Sequence, residues 1–228
     1  MNNIEFPNVI FVTGTGTDVG KSYATGWLAR EINRTGLTCI TQKFIQTGNV
    51  ARSEDIELHR RIMSTGFFAE DEEQLTFPEV FSYPCSPDLA SRIDGREINF
   101  QKIENATKTL SEKFQVVLVE GAGGIMVPLK NEYLTIDYIK EKKLPVIVVI
   151  SGELGSINHA LLTLFAVKEY ELDLFAVVYN PFFDKDPIIT EDTKKYLHKW
   201  IENRFPKTFW FEMPPSMNET HGQRRINI

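Results

Sequence analysis

The chain has 228 residues, of which 42% are hydrophobic and 11% aromatic, and its formal net charge is −6. This length and composition suffice for the buried core of one α/β domain, and the acidic balance excludes a general nucleic-acid binder, which needs a broad cationic surface. Cys39 and Cys85 form neither a metal pattern nor a disulfide framework, and the sequence carries no signal-peptide pattern and no apolar run of membrane-spanning length. We therefore expect a cytoplasmic protein with no membrane partner.

Six short apolar runs alternate along the chain with segments that carry helical signals. The runs are "NVIFVT" (8–13), "LTCIT" (37–41), "FQVVLVE" (114–120), "LPVIVVIS" (144–151), "LDLFAVVYN" (172–180) and "TFWFE" (208–212). Continuous apolar runs are typical of strands buried on both faces, as in a parallel sheet covered by helices. The sequence predicts an α/β fold with a doubly wound, mainly parallel sheet flanked by helices on both faces, in a single domain over 1–228.

The stretch "TGTGTDVGKS" (13–22) stands between the first predicted strand and a helical segment. Its glycines are spaced G-x-G-x-x-x-G, one residue too long for the dinucleotide fingerprint. The phosphate-loop pattern G-x-x-x-x-G-K-[ST] matches at Gly20, Lys21 and Ser22, although its first glycine falls on Thr15. A plain glycine-rich turn is the alternative. The strand before and the helix after favour a loop whose N–H groups bind phosphate, with Lys21 near the terminal phosphates and the Ser22 hydroxyl able to ligate Mg²⁺.

Two charged residues follow the second predicted strand. Lys43, in "QKFIQTG", lies at the carboxyl edge of the predicted sheet, where a lone lysine is usually solvated. If it faced the same crevice as Lys21, the two would form a doubly cationic anion site. Asp55, in "ARSEDIELH", is explained equally well as an acidic residue in the first turn of a helix. The residues alone leave both questions open.

The segment 66–98 is rich in proline, acidic and aromatic residues and predicts a long excursion with a short helix after Pro87. Loops of this length in a compact domain are usually functional or mobile, so the excursion is a candidate wall of a substrate site. The next segment, 99–114, has its apolar residues close to one helical stripe, with Asn99 placed to cap the first turn.

The strand "VVLVE" ends at Glu120 and passes into "GAGG". A carboxylate at this point would emerge at the carboxyl edge beside the phosphate loop, where it could be a second ligand of Mg²⁺. An exposed glutamate at a strand end is the alternative. Gly121, Gly123 and Gly124 indicate a close approach of the backbone to another group.

The stretch "SGELGSINHA" (151–160) leads from a strand into a helix at 156–170 that is apolar on nearly all sides. Its free N–H groups could bind a carboxylate, or Ser156 could simply cap the helix. An apolar helix of this kind is normally buried on more than one side. Its own core and a partner chain are equally good candidates for the covering surface.

Taken together, these segments resemble the dethiobiotin synthetase family, whose fold is of the P-loop NTPase kind. The matching segments, in the family's order and spacing, are "VTGTGTDVGKS", "QKFIQTG" with "SEDIEL", "YPCSPDLAS", "VVLVEGAGGIMVPL", "LPVIVVISGELGSINHALLT" and "AVVYN". The pair "EGAGG…P" and "LG.INH" is much more specific than the phosphate loop alone. Related amide-forming and cobalamin-pathway enzymes share the first motif without the full set.

The resemblance implies a reaction in biotin synthesis. One amine of 7,8-diaminopelargonic acid captures CO₂ as a carbamate, the γ-phosphoryl group of ATP activates the carbamate as a mixed anhydride, and the second amine closes the ring. Dethiobiotin, ADP and phosphate result. Two anions must be brought together despite their repulsion, which requires clustered cations and a metal.

The resemblance also implies roles for residues of this chain. Lys21 and Lys43 would be catalytic, with Mg²⁺ held by Ser22, Asp55 and Glu120. The implied ATP-binding residues are Thr17, Asp18, Val19, Gly20, Lys21, Ser22, Asp55, Glu120, Gly121, Gly123, Gly124, Asn180 and Pro214, with Asn180 reading the adenine. The implied substrate-binding residues are Thr17, Lys43, Thr47, Leu154, Gly155, Ser156 and Asn158. In the family the loop matching 154–158 binds the substrate carboxylate from the neighbouring subunit, which implies a homodimer.

Three departures from the family pattern stand out. Phe44 follows Lys43 where the family commonly has proline, Gly16 replaces a commonly polar residue, and the tail from Ser216 onward has no firm correspondence.

Two other functions are alternatives to this interpretation. A nucleotide-switch protein of the partitioning or metallochaperone kind typically has an additional lysine early in the loop, which "TGTGT" lacks. A small-molecule kinase would not need Lys43 and the "LGSINH" anion site together.

Overall fold

The computed structural model describes residues 1 and 4–215, and a six-stranded sheet lies at its centre. The strands of this sheet are β1 (Val9–Gly14), β2 (Cys39–Lys43), β5 (Val116–Glu120), β8 (Val146–Ser151), β9 (Leu174–Asn180) and β10 (Phe209–Glu212). Two short pairs complete the strands, β3 (Gln46–Thr47) with β4 (Val80–Phe81), and β6 (Pro128–Lys130) with β7 (Tyr133–Leu134).

The helices connect these strands in alternation. They are α1 (Lys21–Arg34), α2 (Glu54–Met63), α3 (Ala69–Glu72), α4 (Pro87–Ile93), α5 (Phe100–Lys113), α6 (Thr135–Lys142), α7 (Ser156–Glu169) and α8 (Pro187–Arg204), with one 3-10 turn over Pro181–Phe183. Within the described part of the chain, none of them combines the length and the apolar character needed to cross a membrane.

All neighbouring strands of the central sheet are parallel, in the order β10-β9-β8-β1-β5-β2. Each of the six predicted apolar runs supplies one strand, so the predicted doubly wound α/β fold is confirmed. The central strands are apolar throughout because both of their faces are covered. In β1, Phe11 packs into one hydrophobic cluster, and Ile10 and Val12 pack into the other. This division follows from the alternation of side chains along a strand.

Two smaller predictions also agree with the structure. The short helix expected after Pro87 is α4, and the Asn99 side chain accepts a hydrogen bond from the backbone N–H of Lys102 at the start of α5. The segment 66–98 is not structureless, since it contains α3, β4 and α4. Its strand β4 pairs with β3, so the excursion is joined to the segment that carries Thr47.

Helix α7 is only partly covered within the single chain. Ala160, Leu164 and Val167 are fully buried. Leu162 and Phe165, on the outer side, are 62% and 53% exposed, although the Phe165 ring also packs against Trp200 of α8 at 5.5 Å. The chain's own core and α8 therefore cover part of this apolar helix and leave Leu162 and much of Phe165 exposed.

Candidate active site

The phosphate-loop motif forms the turn between β1 and α1. Gly20 directly precedes α1 with φ +91°, a backbone conformation that side chains disfavour. A Cβ at Gly20 would collide with the Asn180 amide, and one at Gly14 would lie 2.6 Å from Val19 Cγ1. A Cβ at Gly16 would meet nothing within 4 Å. Close packing therefore explains glycine at positions 14 and 20 but not at position 16.

Lys21 is buried at the start of α1 and points back into the loop. Its Nζ donates a hydrogen bond to the Gly16 carbonyl at 2.7 Å. Burial lowers the pKa of Lys21 to about 8. The positive charge of Lys43 also lowers this pKa, whereas the carboxylates of Glu120 and Asp55 raise it. The ammonium groups of Lys21 and Lys43 therefore lie near each other. They form the doubly cationic site that the sequence suggested as one of two possibilities for Lys43.

Lys43 forms a buried ion cluster with two carboxylates. Its Nζ lies 2.6 Å from Asp55 Oδ2 and 2.7 Å from Glu120 Oε1. Burial alone would lower the pKa of Lys43, but the charges of Glu120 and Asp55 outweigh it and hold the pKa above its usual range. Lys43 is therefore not the solvated lysine that its position also allowed.

Ser22 completes the cluster. Its Oγ lies 2.8 Å from Asp55 Oδ1 and 2.7 Å from Glu120 Oε1. The structure thus brings together the three residues that the family resemblance assigns to Mg²⁺, from α1, α2 and the end of β5. Asp55 lies in the first turn of α2, where a helix-end charge was the alternative, but its side chain points into this cluster. Glu120 is fully buried and not an exposed strand end.

Burial alone would raise the pKa of Glu120, yet its pKa is held well below the usual range by Lys43 and by His59. His59 Nε2 lies 2.7 Å from Glu120 Oε2, and both side chains are fully buried. Sequence reasoning missed His59. A signal was present, because His59 follows Asp55 by four residues and therefore shares its face of the helix.

A cavity of about 390 Å³ opens above this cluster. Ten of the residues implied by the resemblance line it, namely Thr17, Asp18, Gly20, Lys21, Ser22, Lys43, Thr47, Asp55, Glu120 and Gly123. The remaining implied residues, Val19, Gly121, Gly124, Leu154, Gly155, Ser156, Asn158, Asn180 and Pro214, do not line this cavity.

The glycines after Glu120 pack against the protein itself. A Cβ at Gly121 would lie 2.8 Å from the Phe11 ring, and one at Gly124 would lie 3.5 Å from the Gly14 carbonyl oxygen. Gly123 has φ +70°. These glycines predicted that the backbone closely approaches another group. For Gly121 and Gly124 that group is β1 and the phosphate loop.

Asn180 ends β9 with its side chain buried against the phosphate loop. Its Nδ2 donates to the Val19 carbonyl at 2.9 Å, and its Oδ1 accepts from the Phe182 N–H at 3.1 Å. Met213 N–H donates to the Tyr179 carbonyl, which brings the segment containing Pro214 close to Asn180. Adenine reading by these residues stays a prediction, and the tail from Ser216 onward lies outside the described residues.

Ser156 begins α7, and of the two alternatives that the sequence left open for it, capping of the helix is not what the structure shows. The residue before the helix is Gly155, with φ +94°, and no side chain caps the first turn. The Ser156 hydroxyl is buried and has no hydrogen-bond partner among the described residues. Buried hydroxyls are normally paired, so Ser156 departs from the usual pattern at the start of α7.

Phe44 shows what the departure from proline does. Its backbone N–H donates to the Glu120 carbonyl at 2.8 Å, a bond that proline cannot make. Its buried ring packs against the rings of Phe11 and Tyr138 at centroid distances of 5.4 and 4.7 Å. The residue therefore joins the ends of β2 and β5, which carry Lys43 and Glu120.

The chain was compared with known proteins. The family model described as AAA domain matches residues 8–204. The chain is similar to the ATP-dependent dethiobiotin synthetase BioD 2 of Pasteurella multocida, with 44% identity over 202 residues that cover 89% of this chain and 95% of that protein. The ATP-dependent dethiobiotin synthetase BioD of Chlorobaculum tepidum is 40% identical over 189 residues, covering 83% of this chain and 79% of that protein.

Solved structures with a related architecture include the signal recognition particle receptor FtsY from Elizabethkingia anophelis, with a TM-score of 0.54 and 16% identity. This match covers 96% of the chain and 62% of the receptor, so the chain spans less than two thirds of its length. A putative plasmid partition protein from Borrelia burgdorferi bound to AMPPNP gives a TM-score of 0.52 at 11% identity, covering 97% and 93%. Likeness at such low identity shows the fold alone.

A parallel sheet whose first strand leads through a phosphate loop into a helix defines the P-loop class of nucleotide-binding proteins, and the chain belongs to the AAA domain family of that class. More narrowly, it belongs to the family of ATP-dependent dethiobiotin synthetases. Two proteins of that family are 44% and 40% identical to it over most of their length.

Replacing Gly20 by Ala should weaken ATP binding roughly tenfold or more, because the methyl group meets Asn180 and the left-handed backbone costs a non-glycine residue about 1–3 kcal/mol. Gly16→Ala is the matched control, because it adds the same group in open space. Calorimetric titration with ATP measures both affinities, and thermal unfolding checks that both variants are folded. Equal affinities in the two variants would contradict the packing argument.

Proposed function

We propose that the chain catalyses the ATP-dependent closure of the ureido ring of dethiobiotin from 7,8-diaminopelargonic acid and CO₂. A carbamate oxygen formed on one amine attacks the γ-phosphorus of ATP, and ADP leaves. The second amine then attacks the carbon of the carbamic-phosphoric anhydride, a new C–N bond forms, and phosphate leaves. The enzyme would thus be a cyclo-ligase of biotin biosynthesis, as the names of its relatives indicate.

One observation carries this proposal beyond family membership. Lys43, from the end of β2, lies beside the phosphate-loop residues Lys21 and Ser22 on one cavity. The phosphate loop, with its backbone N–H groups and one lysine, accounts for phosphate binding, whereas transfer of a phosphoryl group to a carbamate brings in a second anion that a further cation would stabilise. Lys21 would contact both anions, and Lys43 would stabilise the carbamate and the charge that develops on it.

The donor set fits Mg²⁺. Mg²⁺ prefers hard oxygen ligands and is commonly bound by one or two carboxylates together with substrate phosphates and water. Ser22 offers a hydroxyl whose oxygen lies 2.8 Å from Asp55 Oδ1 and 2.7 Å from Glu120 Oε1, so one hydroxyl and two carboxylates are gathered at this place. Across the described residues, no group of three or more His, Cys, Asp and Glu side chains forms a metal site by itself. When bound, Mg²⁺ would neutralise charge on the transferred phosphoryl group.

Lys43 also stabilises the site while no ligand is bound. Its ammonium group neutralises Asp55 and Glu120, which would otherwise repel each other in a buried site. The same contact holds Nζ at the cavity, where an incoming carbamate can reach it. On ligand binding, Lys43 would exchange these carboxylates for the carbamate without leaving the site, and Asp55 and Glu120 would be left to hold Mg²⁺.

The N-terminus of α7 would bind the substrate carboxylate. The Ser156 hydroxyl, which has no partner among the described residues, would provide a donor for an anion, whereas the backbone N–H groups of Ser156 and Asn158 already donate to the carbonyls of Glu153 and Gly155. Leu154, Gly155 and Asn158 are exposed beside it. Since these residues do not line the cavity of Lys21 and Lys43, the substrate would span two subunits of a homodimer. The uncovered apolar face of α7, with Leu162 and Phe165, would form part of that interface.

The direct test is product formation. Purified protein supplied with ATP, Mg²⁺, bicarbonate and 7,8-diaminopelargonic acid should release dethiobiotin and ADP in equal amounts, measured by mass spectrometry and a coupled ADP assay. ADP release that does not depend on the diamine, with no dethiobiotin formed, would contradict the proposal and favour a simple ATPase.

Lys43→Ala should lower kcat by about 10²–10³-fold, because it removes a cation that stabilises developing charge. The affinity for ATP should change much less. Single-turnover rates and ATP titrations separate the two effects. Equal losses in kcat and in ATP affinity would show that Lys43 serves nucleotide binding and has no special role toward the carbamate.

Leu162→Glu should convert the dimer to a monomer, because it places a carboxylate in an apolar interface. It should also raise the KM for the diamine by roughly tenfold or more, since charge-assisted hydrogen bonds from the partner's α7 are lost. Phe67→Glu is the matched control, since Phe67 is 61% exposed and Leu162 is 62% exposed. Sedimentation velocity gives the oligomeric state. A wild-type monomer with normal activity would refute the shared site.

A further inference from the structure

A line of buried polar side chains continues behind Glu120, on the side away from the cavity. His59 Nε2 lies 2.7 Å from Glu120 Oε2, and His59 Nδ1 lies 3.0 Å from Thr41 Oγ1. The Arg60 Nη1 donates to the same Thr41 oxygen at 2.8 Å. All four side chains are buried. None of them but Glu120 belongs to the site that the sequence predicted.

Arg60 anchors the far end of this line. It donates to both oxygens of the buried Asp71 carboxylate, at 2.9 Å from Nε and 2.8 Å from Nη2. Asp71 also accepts from the Thr76 hydroxyl at 2.6 Å and from the Phe68 N–H at 2.8 Å. The Asp71 carboxylate and the Arg60 guanidinium are therefore held from several sides, and Arg60 has a defined geometry toward Thr41.

Donor and acceptor counts set the direction of these hydrogen bonds. A guanidinium only donates, so Thr41 Oγ1 accepts from Arg60. The ionised Glu120 carboxylate only accepts, so His59 Nε2 carries a proton and donates it to Oε2. His59 therefore supplies the donor at Oε2, and Thr41 and Arg60 contact the imidazole and each other on the side away from Glu120.

The two oxygens of Glu120 have different neighbours. Oε1 contacts Ser22 and Lys43 at 2.7 Å each, whereas Oε2 contacts His59. A carboxylate held at Oε2 cannot turn about its last torsion, so Oε1 stays directed at the cavity. Without a donor at Oε2, this buried oxygen would be unsatisfied and the carboxylate would turn toward other partners.

We propose that His59 is a positioning residue that orients Glu120 for the cation accompanying ATP, an inference that rests on the function proposed above. His59 does not touch the ligands itself and acts through the hydrogen bond to Oε2. Outer partners of ligating groups typically change metal affinity by about 10–100-fold when removed. Helix α2 thereby supports the cation twice, with Asp55 as a ligand and His59 as the support of another ligand.

The test measures metal binding without turnover. Full-length wild type, His59→Leu and His59→Gln are titrated with Mn²⁺ in the presence of a non-hydrolysable ATP analogue, and free Mn²⁺ is followed by electron paramagnetic resonance. His59→Leu removes the donor and keeps an apolar side chain in the buried space, and it should weaken Mn²⁺ binding about 10–100-fold. His59→Gln retains an N–H donor near the position of Nε2 and should recover most of the affinity.

Two controls separate positioning from a general structural effect. His198→Leu makes the same substitution at an exposed histidine and should leave Mn²⁺ binding unchanged. Binding of the ATP analogue in excess chelator should be the same in wild type and His59→Leu, because the phosphate loop does not depend on His59. If His59→Leu does not fold, His59→Met serves instead, since it also removes the donor to Oε2 with a flexible apolar side chain and should weaken Mn²⁺ binding in the same direction.

Unchanged Mn²⁺ affinity in His59→Leu would overturn the inference, as would a His59→Gln variant as weak as His59→Leu. These outcomes are distinct from failure of the proposed function. Wild type that binds Mn²⁺ and the ATP analogue but forms no dethiobiotin would refute the synthetase activity, whereas the comparison between the His59 variants would still show whether the histidine orients Glu120.

Discussion

The ion cluster of Lys43, Asp55 and Glu120 is the interaction on which the site depends. Each residue comes from a different element, β2, α2 and β5, and their charged atoms meet at 2.6 and 2.7 Å in a buried position. A buried charge is strongly destabilising unless it is paired. The cluster therefore fixes the relative position of the three elements and keeps the oxygen atoms of the site together before any nucleotide binds.

Helix α2 connects this cluster with the excursion over 66–98. Asp55 faces the cavity, His59 supports Glu120, and Arg60 binds Asp71 in α3. One helix thus joins the carboxylates of the site to the segment that pairs, through β4, with the strand carrying Thr47. The excursion is held in place by the buried, multiply bonded Asp71 carboxylate, but none of its residues lines the cavity of Lys21 and Lys43, where the sequence suggested a substrate wall.

The features that could be predicted from the sequence are those with local signals. Six apolar runs predicted six strands, because strands covered on both faces must be apolar throughout. The loop before α1 and the cap at Asn99 carry short motifs whose physical basis is local. His59 was not predicted, although it lies four residues after Asp55 and so on the same face of the helix. A single histidine on a helix does not indicate which residue it contacts. The effect of Phe44 was also hidden, because its backbone bond goes to Glu120 in a distant strand.

The sequence by itself determined the alternation of strands and helices, the phosphate-loop motif and the residue types at the carboxyl edge of the sheet, because these depend on periodicity and neighbours along the chain. Only the tertiary structure decided which of the charged residues meet. Lys43 could have been solvated, Asp55 could have been a helix-end charge, and Ser156 could have been a cap. Whether buried charges and hydroxyls are paired depends on distances between segments that are far apart in sequence. Those distances are set only when the sheet forms, with β5 between β1 and β2.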